Sequence, residues 1–462
     1  MDLYYKTNSN FKVMKANNSN PFFSRRQFIK TTGAATIASP MILQSSVLQG
    51  HGTAPSDRIN LGIIGCGGLG NANLKACASQ PNVEVVAACD VWKERLDVVV
   101  GKFKNTCTGY TDFREMLLHK DLDAVIIATP AHWHALMAIA ACEAGKDIYL
   151  QKPMTMHVGE SLAVRNAVQN HNIICQIGTQ IHASENYRRV VELVRSGNLG
   201  EIGTVRTFFV MNEAPKGIGY GNNTNKIPKG MDWDMWVGPA RMQPFNPNLV
   251  KDAFYHGFWM DFSGGWTPGM APHIIDLPVW ALSLGYPTEV SATGGRFVID
   301  DDGDAYDNHE VIMSYPKLSM TWMSSLTNSY GFDFLRGKES RRRLGIYFHG
   351  VNGTLHTDYE NHTILPEGDR MNGMSTPPIS IPPSPGHELE WLECIKSRKQ
   401  PSCNPSYHVK IDVPIALSTL SLKLGRSLRF DPEKEKIIGD KEAAKLAIPD
   451  YRSPWKLPKE YL

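Results

Sequence analysis

The chain has 462 residues, 42% of them hydrophobic and 20% charged, which is enough for two or three globular domains. Its mean hydropathy is −0.27 and it has no run of 18 apolar residues, which excludes an integral membrane protein. The first 50 residues hold six Lys or Arg against Asp2 alone, so the net charge of +2 leaves −3 on the remainder. A mildly acidic body lacks the positive field that nucleic acid needs, so nucleic acid is excluded as a partner.

The first 50 residues have the pattern of a bacterial export signal. Arg25 and Arg26 stand shortly before Lys30, and a weakly apolar stretch follows at residues 31–43. The arrangement resembles a twin-arginine signal, which carries folded proteins across the membrane. The alternative is a disordered basic tail with a chance Arg pair. The sequence predicts an exported, periplasmic protein whose residues 1–50 are signal and linker.

From Arg58 onward, short apolar strands alternate with helical patterns. Unbroken apolar strands are typical of a parallel sheet whose two faces are both covered. The pattern predicts an α/β fold with an N-terminal Rossmann domain, a doubly wound parallel sheet, over residues 58–178. The predicted strands are 59–64, 83–89, 123–129, 147–150 and 173–177, and the predicted helices are 71–79, 92–102, 134–144 and 158–170.

After residue 178 the pattern changes, because strands follow one another without long helices between them. This predicts a C-terminal α/β domain over residues 179–430 with a large, mostly antiparallel open sheet. A tail, residues 431–462, is predicted to pack on the body. The predicted strands are 204–211, 289–298, 310–315, 319–325, 343–348 and 353–357, with helices at 186–196, 389–397 and 413–428.

A Gly-x-Gly-x-x-Gly motif lies between the first predicted strand and the first helix. Its first glycine allows a tight turn, the second lets the backbone approach a pyrophosphate, and the third lets helix and strand pack closely. An aspartate ends the second strand, where a carboxylate binds ribose hydroxyls. The predicted dinucleotide-binding residues here are Gly65, Gly67, Gly68, Leu69, Gly70 and Asp90.

Asp90 favours NAD as the cofactor, because a carboxylate repels the 2′-phosphate of NADP. Lys93 and Arg95 lie nearby and leave NADP open as the less favoured alternative.

Two further segments follow predicted strands at their carboxyl ends, where a dinucleotide crosses a Rossmann sheet. Thr129 and Pro130 begin the first, which continues to His134. Its alternative interpretation is a turn that caps the next helix. Gln151 and Lys152 form the second, and the lysine is placed to reach a substrate beside the nicotinamide. Its alternative is a solvated lysine.

A later glycine-rich segment ends in His273 and Asp276. The three-residue spacing places both on one helix face, where the carboxylate is predicted to orient the imidazole and set its tautomer. The alternative is a capping histidine with a surface aspartate. The eight cysteines of an exported chain could form disulfides, but they include no Cys-x-x-Cys pair and no His joins them at metal-ligand spacing, so we predict no metal site and free, buried thiols.

Taken together, these segments resemble the Gfo/Idh/MocA oxidoreductases, the family of glucose–fructose oxidoreductase and inositol dehydrogenase. The similarity extends from about Arg58 to Trp455 and is closest to the exported subgroup. The matching segments are residues 65–70 with Asp90, Thr129 and Pro130 with His134, Lys152 and Pro153, residues 178–180, residues 232–239, the segment before His273 and Asp276, and residues 451–455.

The resemblance implies roles for individual residues. Lys152 matches the family lysine that contacts both the nicotinamide and the reacting hydroxyl, and His273 matches the histidine across the substrate pocket. Gln180 matches a polar position near the cofactor, and Trp233 and Trp236 match positions near the cofactor or the sugar face.

Two positions depart from the family pattern: Gln151 stands where the family has Glu, and Gly269 where it often has Asp. Both changes remove a carboxylate, and a proton relay through the second is lost.

The resemblance implies an NAD(P)-dependent oxidoreductase acting on a secondary hydroxyl of a sugar or glycoside, and by analogy a homo-oligomer. Two alternatives stay open: an NAD-dependent glycosidase or lyase that oxidises its substrate transiently, and a non-catalytic sugar- or nucleotide-binding relative.

Overall fold

The computed structural model describes residues 58–251, 254–332 and 343–462, so the predicted export signal lies outside the described residues. The N-terminal elements alternate between strand and helix, as predicted. They are β1 (Ile59–Ile64), α1 (Gly68–Ala78), β2 (Val83–Cys89), α2 (Lys93–Lys102), β3 (Thr108–Tyr110), α3 (Phe113–Leu117), β4 (Ala124–Ile127), α4 (His134–Glu143), β5 (Asp147–Leu150), α5 (Val158–Asn170) and β6 (Cys175–Ile177).

Within the described residues, these strands form one six-stranded sheet in the order β3-β2-β1-β4-β5-β6. Every neighbouring pair is parallel. All residues of β4 and β5 are buried, because helices cover both faces of the sheet. The predicted Rossmann sheet is confirmed, and β3 with α3 are the elements that the pattern missed.

The remaining elements include a group of short helices between two long strands. They are α6 (Glu185–Arg195), β7 (Ile202–Val210), α7 (Trp233–Val237), α8 (Asn248–Lys251), α9 (Met260–Ser263), α10 (Trp266–Met270), α11 (Pro272–Leu282), β8 (Glu289–Gly295), β9 (Asn308–Tyr315), β10 (Leu318–Ser325), β11 (Leu344–Gly350), β12 (Gly353–Thr357), β13 (His362–Pro366), α12 (His387–Ser397), α13 (Pro405–Leu424), β14 (Leu428–Asp431), β15 (Lys436–Ile438) and α14 (Lys441–Leu446).

In the described part of the chain, nine strands form a second sheet in the order β13-β12-β11-β7-β10-β9-β8-β14-β15. β7 and β10 pair in parallel, and the other neighbours are antiparallel. The large, mostly antiparallel sheet is therefore confirmed. The sheet continues through β15, so the predicted boundary at residue 430 falls inside a β-hairpin.

Helix α13 connects the two sheets, because it packs against both α5 and β8. Its predicted range, 413–428, is shifted from the observed one. The helix begins earlier because the Asn404 side chain accepts the N–H of Tyr407 and Pro405 occupies the first turn. It ends earlier because Gly425 adopts the left-handed conformation, with φ of +65°.

None of the eight cysteines forms a disulfide, and seven of them are buried. Burial raises the pKa of thiols such as Cys77 and Cys142, which keeps them protonated and unreactive. In the described part of the chain, no helix combines the length and apolar character needed to cross a membrane.

Candidate active site

The glycine motif forms the turn between β1 and α1 and opens one end of a cleft. Gly65 has φ of +94°, and a Cβ there would lie 2.7 Å from the Ala128 carbonyl oxygen. A Cβ on Gly70 would lie 2.1 Å from the Gly65 carbonyl oxygen. At Gly67 a Cβ would meet only the Arg95 guanidinium, at 3.7 Å. Packing therefore leaves no room for a side chain at Gly65 or Gly70, whereas the backbone of Gly67 faces open space.

Helix α1 begins at this loop, and no side chain caps its first turn. Its leading N–H groups and positive dipole end favour an anion there. Gly65, Gly67, Gly68 and Leu69 line the cleft, as predicted for a dinucleotide. Gly70 does not line it and serves the packing of α1 on β1.

Asp90 lies at the carboxyl end of β2 and lines the same cleft. Its carboxylate accepts the backbone N–H groups of Cys66 and Trp92, each at 2.8 Å. Burial raises the pKa of Asp90, although these two N–H groups and Arg95 oppose that rise. A carboxylate has about four acceptor positions, so lone pairs remain for a diol.

The cleft has a volume of about 560 Å³ and is lined from both halves of the chain. That volume lies within the range of small-molecule and cofactor sites. Residues from the parallel-sheet side include the glycine loop, Asp90, Thr129, Pro130, Gln151 and Lys152, and residues from the other side include Met235, Trp236, Leu249, Val250, Lys251, Phe254 and His256.

Thr129 and Pro130 lie in the cleft wall, but His134 lies behind it. The His134 ring is buried, and its two nitrogens face the carbonyl oxygens of Pro153 (2.7 Å) and Thr129 (2.9 Å). Burial lowers the pKa of this imidazole. His134 does not line the cleft, so its predicted cofactor contact is corrected: the ring fixes the strand ends that carry Thr129 and Lys152.

Lys152 follows β5 and lies in the wall of the cleft. Its Nζ donates a hydrogen bond to the carbonyl oxygen of Gly269, at 3.0 Å. Burial lowers the pKa of Lys152 to about 8. The ammonium is therefore close to losing its proton near neutral pH, which suits a group that exchanges a proton with a substrate.

Gln151 is buried beside it, and both ends of its amide are in use. Its Oε1 accepts the N–H of Lys152 at 3.0 Å, and its Nε2 donates to Asn73 Oδ1 at 2.7 Å. The side chain ties the lysine turn to α1 and contributes no charge.

Trp236 lines the cleft, as predicted, and Trp233 stacks on it with ring centroids 4.8 Å apart. The carbonyl oxygen of Trp236 accepts the indole N–H of Trp133 at 3.1 Å. Gln180 is exposed and does not line the cleft, and its amide lies 3.5 Å from Glu388. The predicted cofactor contact of Gln180 is corrected, because the turn after β6 directs it toward α12.

The predicted pairing of His273 with Asp276 is wrong. Asp276 is fully buried and accepts from His182 Nε2 at 2.9 Å and from the Tyr407 hydroxyl. His273 is half-buried, with its ring 6.4 Å from that of Tyr359, and it does not line the cleft. The two side chains share a helix, but α11 is packed on both α6 and α13, so they meet different neighbours.

Asp276 therefore belongs to a buried polar network. The Cys403 thiol lies within 4.8 Å of the ligating atoms of His182 and Asp276. Burial opposes a charge on His182, but Cys403 and Asp276 raise its pKa well above the ordinary value. The network holds α11 against the turn after β6 and against α13.

His256 also lines the cleft, from the 3-10 turn before α9, although the sequence did not predict it as a site residue. Burial, together with the nearby His132 and Lys152, lowers the pKa of His256 to about 3. This histidine is neutral at physiological pH. Nothing in its local pattern marks it, since the turn has no periodicity and no motif spacing.

Two family models match the chain. The N-terminal domain of the GFO/IDH/MocA oxidoreductase family, an NAD-binding Rossmann fold, matches residues 59–179. The C-terminal α/β domain of the same family matches residues 217–457.

Similar proteins include a glycosyl hydrolase family 109 protein of Shewanella pealeana, 28% identical over 201 residues, which is 39% of this chain and 44% of that protein. An inositol 2-dehydrogenase of Salmonella typhimurium is 30% identical over 145 residues, 31% of this chain and 43% of that protein. The chain thus matches less than half the length of these curated relatives.

Among solved structures, levoglucosan dehydrogenase in complex with NADH and levoglucosan has a TM-score of 0.55 and 18% identity, covering 80% of this chain and 99% of that one. The WlbA dehydrogenase from Bordetella pertussis in complex with NADH and UDP-GlcNAcA has a TM-score of 0.59 and 16% identity, covering 81% of this chain and 99% of that one. At these identities the likeness shows the shared fold.

Proposed function

Because this chain belongs to the GFO/IDH/MocA oxidoreductase family, we propose that it is an NAD-dependent oxidoreductase acting on a secondary hydroxyl of a sugar or cyclic polyol. The observation that carries the proposal is the position of Lys152. It lies in the wall of the cleft that the glycine loop opens, at the carboxyl end of the interior parallel strand β5. That edge of a Rossmann sheet is where ligands bind.

The residues at the glycine loop fit a dinucleotide. The open space over Gly67 and the uncapped first turn of α1 suit a pyrophosphate, and Asp90 suits the ribose hydroxyls. The two cations that follow Asp90 closely in the sequence already have partners. Lys93 pairs with Asp97 at 2.7 Å, and Arg95 lies over the Trp92 ring and donates to the Val250 carbonyl at 2.8 Å. NAD is therefore favoured over NADP.

When bound, the cofactor supplies the hydride acceptor. The side chain of Lys152 accepts the hydroxyl proton as the carbinol hydrogen leaves with its electron pair. A lysine with a pKa of about 8 is partly neutral at slightly alkaline pH, and only the neutral amine accepts a proton. The cleft walls supply orientation by fixing where the carbinol carbon lies.

The two departures from the family pattern support this role for Lys152. A carboxylate at residue 151 or 269 would stabilise the ammonium and raise its pKa. Here Gln151 is neutral and Gly269 offers only its carbonyl oxygen. Burial is thus left to lower the lysine pKa without opposition from a carboxylate at either position.

The test is a turnover assay with the NAD-loaded full chain. Myo-inositol, levoglucosan and a panel of methyl glycosides are offered while the near-ultraviolet absorbance of NADH is followed. We expect at least one to give NADH, and Lys152→Ala to lower the rate about 10²- to 10⁴-fold. Lys120→Ala, at an exposed lysine, is the matched control. Loss of turnover in both variants, or in neither, would contradict the role of Lys152.

A second candidate is an NAD-dependent glycosidase, because a glycosyl hydrolase family 109 protein is among the similar proteins. Such an enzyme oxidises its substrate transiently and returns the hydride, so no NADH accumulates. Release of p-nitrophenol from nitrophenyl glycosides, dependent on NAD and without a lasting absorbance change, would favour it. Binding of a sugar with neither signal would indicate a non-catalytic relative.

Export and assembly are proposals that rest on the sequence and on the resemblance. The Arg25 and Arg26 pair supports a periplasmic protein, and Lys substitution of both in the native host should retain the chain in the cytoplasm. The family resemblance supports a homo-oligomer. Light scattering on the purified full chain should give a mass of at least twice 51.4 kDa, and a mass of one chain would contradict the homo-oligomer.

A further inference from the structure

A chain of hydrogen bonds connects helix α12 to the turn that carries Lys152. Glu388, in the first turn of α12, accepts from Asn73 Nδ2 in α1 at 3.2 Å. Asn73 Oδ1 accepts from Gln151 Nε2 at 2.7 Å, and Gln151 Oε1 accepts the backbone N–H of Lys152 at 3.0 Å. Asn73 and Gln151 are only 3% and 5% exposed, so water does not compete for their amides. The chain thus joins three elements that are distant in sequence.

The direction of this chain is set at its Glu388 end. A carboxylate accepts hydrogen bonds and donates none, and this one accepts from the Tyr149 hydroxyl at 3.5 Å as well as from Asn73. The Tyr149 hydroxyl donates its hydrogen to Glu388, so it accepts from the Asn73 amide, at 3.3 Å. The NH₂ group of Asn73 is therefore used on this side, and its oxygen must face residue 151. A donor is then needed there, and the amide of Gln151 supplies it.

We infer that Glu388 is a positioning residue for Lys152, because it orients Asn73 so that Gln151 can hold the lysine turn. The inference rests on the proposed function and deepens it by naming a further residue on which the same site depends. It also accounts for the amide at residue 151, where the family has Glu. A carboxylate at residue 151 would place two acceptors against each other, whereas the amide places a donor against the Asn73 oxygen.

Glu388 is expected to act on the geometry of Lys152 and not on its pKa. Burial alone lowers the pKa of Lys152 to about 8. The chain instead fixes the backbone of the turn after β5, from which the lysine side chain extends to the Gly269 carbonyl oxygen at 3.0 Å. A displacement of about 1 Å at a reacting group can lower a rate about 10²-fold. Loss of the chain should therefore lower kcat and leave the pH midpoint of the reaction in place.

The experiment is a double-substitution cycle in the NAD-loaded full chain. It compares Glu388→Ala, Glu388→Gln, Gln151→Glu and the double variant that combines Glu388→Gln with Gln151→Glu. Glu393→Gln, at an exposed position of the same helix, is the matched control. The melting temperature and NADH affinity are measured for each protein, along with kcat, KM and the pH midpoint for a sugar that the wild type oxidises.

We expect Glu388→Ala to lower kcat about 10- to 100-fold, with KM, NADH affinity and the pH midpoint close to those of the wild type. Glu388→Gln should restore most of kcat, because its amide oxygen still accepts from Asn73. Gln151→Glu should lower both kcat and the melting temperature, since two acceptors then meet. Adding Glu388→Gln should recover part of both, because the amide at residue 388 can donate to a reversed Asn73.

Wild-type kcat in Glu388→Ala would overturn the inference alone. So would an equal kcat loss in Glu393→Gln, or a loss from Gln151→Glu that is the same with and without Glu388→Gln. If Glu388→Ala does not fold, the cycle formed by the other three variants decides the question. Wild-type protein that binds NADH but oxidises no sugar of the panel would overturn the proposed function, and the inference with it.

Discussion

The two walls of the cleft differ in what gives them their shape, which is the backbone in one wall and side chains in the other. On the parallel-sheet side, the shape comes from backbone: the turn at Gly65, the packing of Gly70 and the two N–H groups that hold Asp90. On the opposite side, it comes from short helices whose side chains face the cleft. Asp276, in α11, belongs to a separate buried polar network, with partners in two distant elements.

This difference predicts different responses to substitution. Where the wall is formed by closely packed backbone, adding a side chain should lower stability. Where the backbone faces open space, the same addition should leave stability unchanged. A buried polar network loses stability when one charged partner is removed and the other is left without it.

Asp276→Asn should lower the free energy of unfolding by about 3–5 kcal/mol, because it leaves His182 buried without its charged partner. The pKa of His182 is raised in the folded protein. The pair with Asp276 therefore stabilises the fold fully below the unfolded-state pKa of about 6.5, and this stabilisation is lost as the pH rises through the folded-state pKa. In urea unfolding, the difference in the free energy of unfolding between the wild type and Asp276→Asn should decrease as the pH rises. Asp97→Asn, at an exposed ion pair, should cost less than about 1 kcal/mol, and an equal loss there would contradict the account.

Gly70→Ala should cost about 1–3 kcal/mol in spite of the better helix propensity of Ala, because its Cβ meets the Gly65 carbonyl. Gly67→Ala should fold like the wild type, because its Cβ has room. It should nevertheless weaken NADH binding about tenfold or more by holding the pyrophosphate away. Thermal unfolding and NADH titration of both variants separate the effects. Unchanged NADH affinity in Gly67→Ala would place the dinucleotide elsewhere.

The rate of alcohol oxidation should rise about tenfold per pH unit below pH of about 8 and level off above it, because neutral Lys152 is the proton acceptor. Carbonyl reduction with NADH needs the protonated form of Lys152, so its rate should fall as the pH rises above about 8. Initial rates in both directions measure this, with Lys120→Ala as the control. A flat profile in both directions would exclude Lys152 as the proton acceptor.

Gly269→Asp should raise the apparent pKa in that profile by about one unit, because it adds a carboxylate beside the lysine. The substitution fits, since a Cβ at Gly269 has no atom within 4 Å and the Gly269 carbonyl lies 3.0 Å from Nζ. Gly269→Asn has the same size without the charge and should leave the midpoint in place. A shift produced equally by both variants would point to sterics instead of charge.

The residues of the parallel-sheet wall were predictable from the sequence, because a residue that directly follows a parallel strand must lie at the carboxyl edge of the sheet. Thr129 and Lys152 each follow a strand, and parallel strands end at the same edge, so the residues must converge. His134 failed as a prediction because a helix can turn a side chain behind that edge, where backbone carbonyls compete for it.

The opposite wall was not predictable from local pattern. His256 lies in a short turn, and its place at the cleft follows from contacts between elements distant in sequence, such as Arg95 with the Val250 carbonyl. The spacing of His273 and Asp276 gave the correct helix and the wrong pairing. The partners of Asp276 are His182 and Tyr407, which lie 94 and 131 residues away.

The proposed mechanism requires that this cleft hold one NAD per chain, with Lys152 at its reactive end. Titration of the full chain with NADH, followed by nicotinamide fluorescence, measures this stoichiometry. We predict saturation at one NADH per chain, weaker binding of NADPH, and loss of affinity in Gly67→Ala. No saturable binding of either dinucleotide would contradict the account.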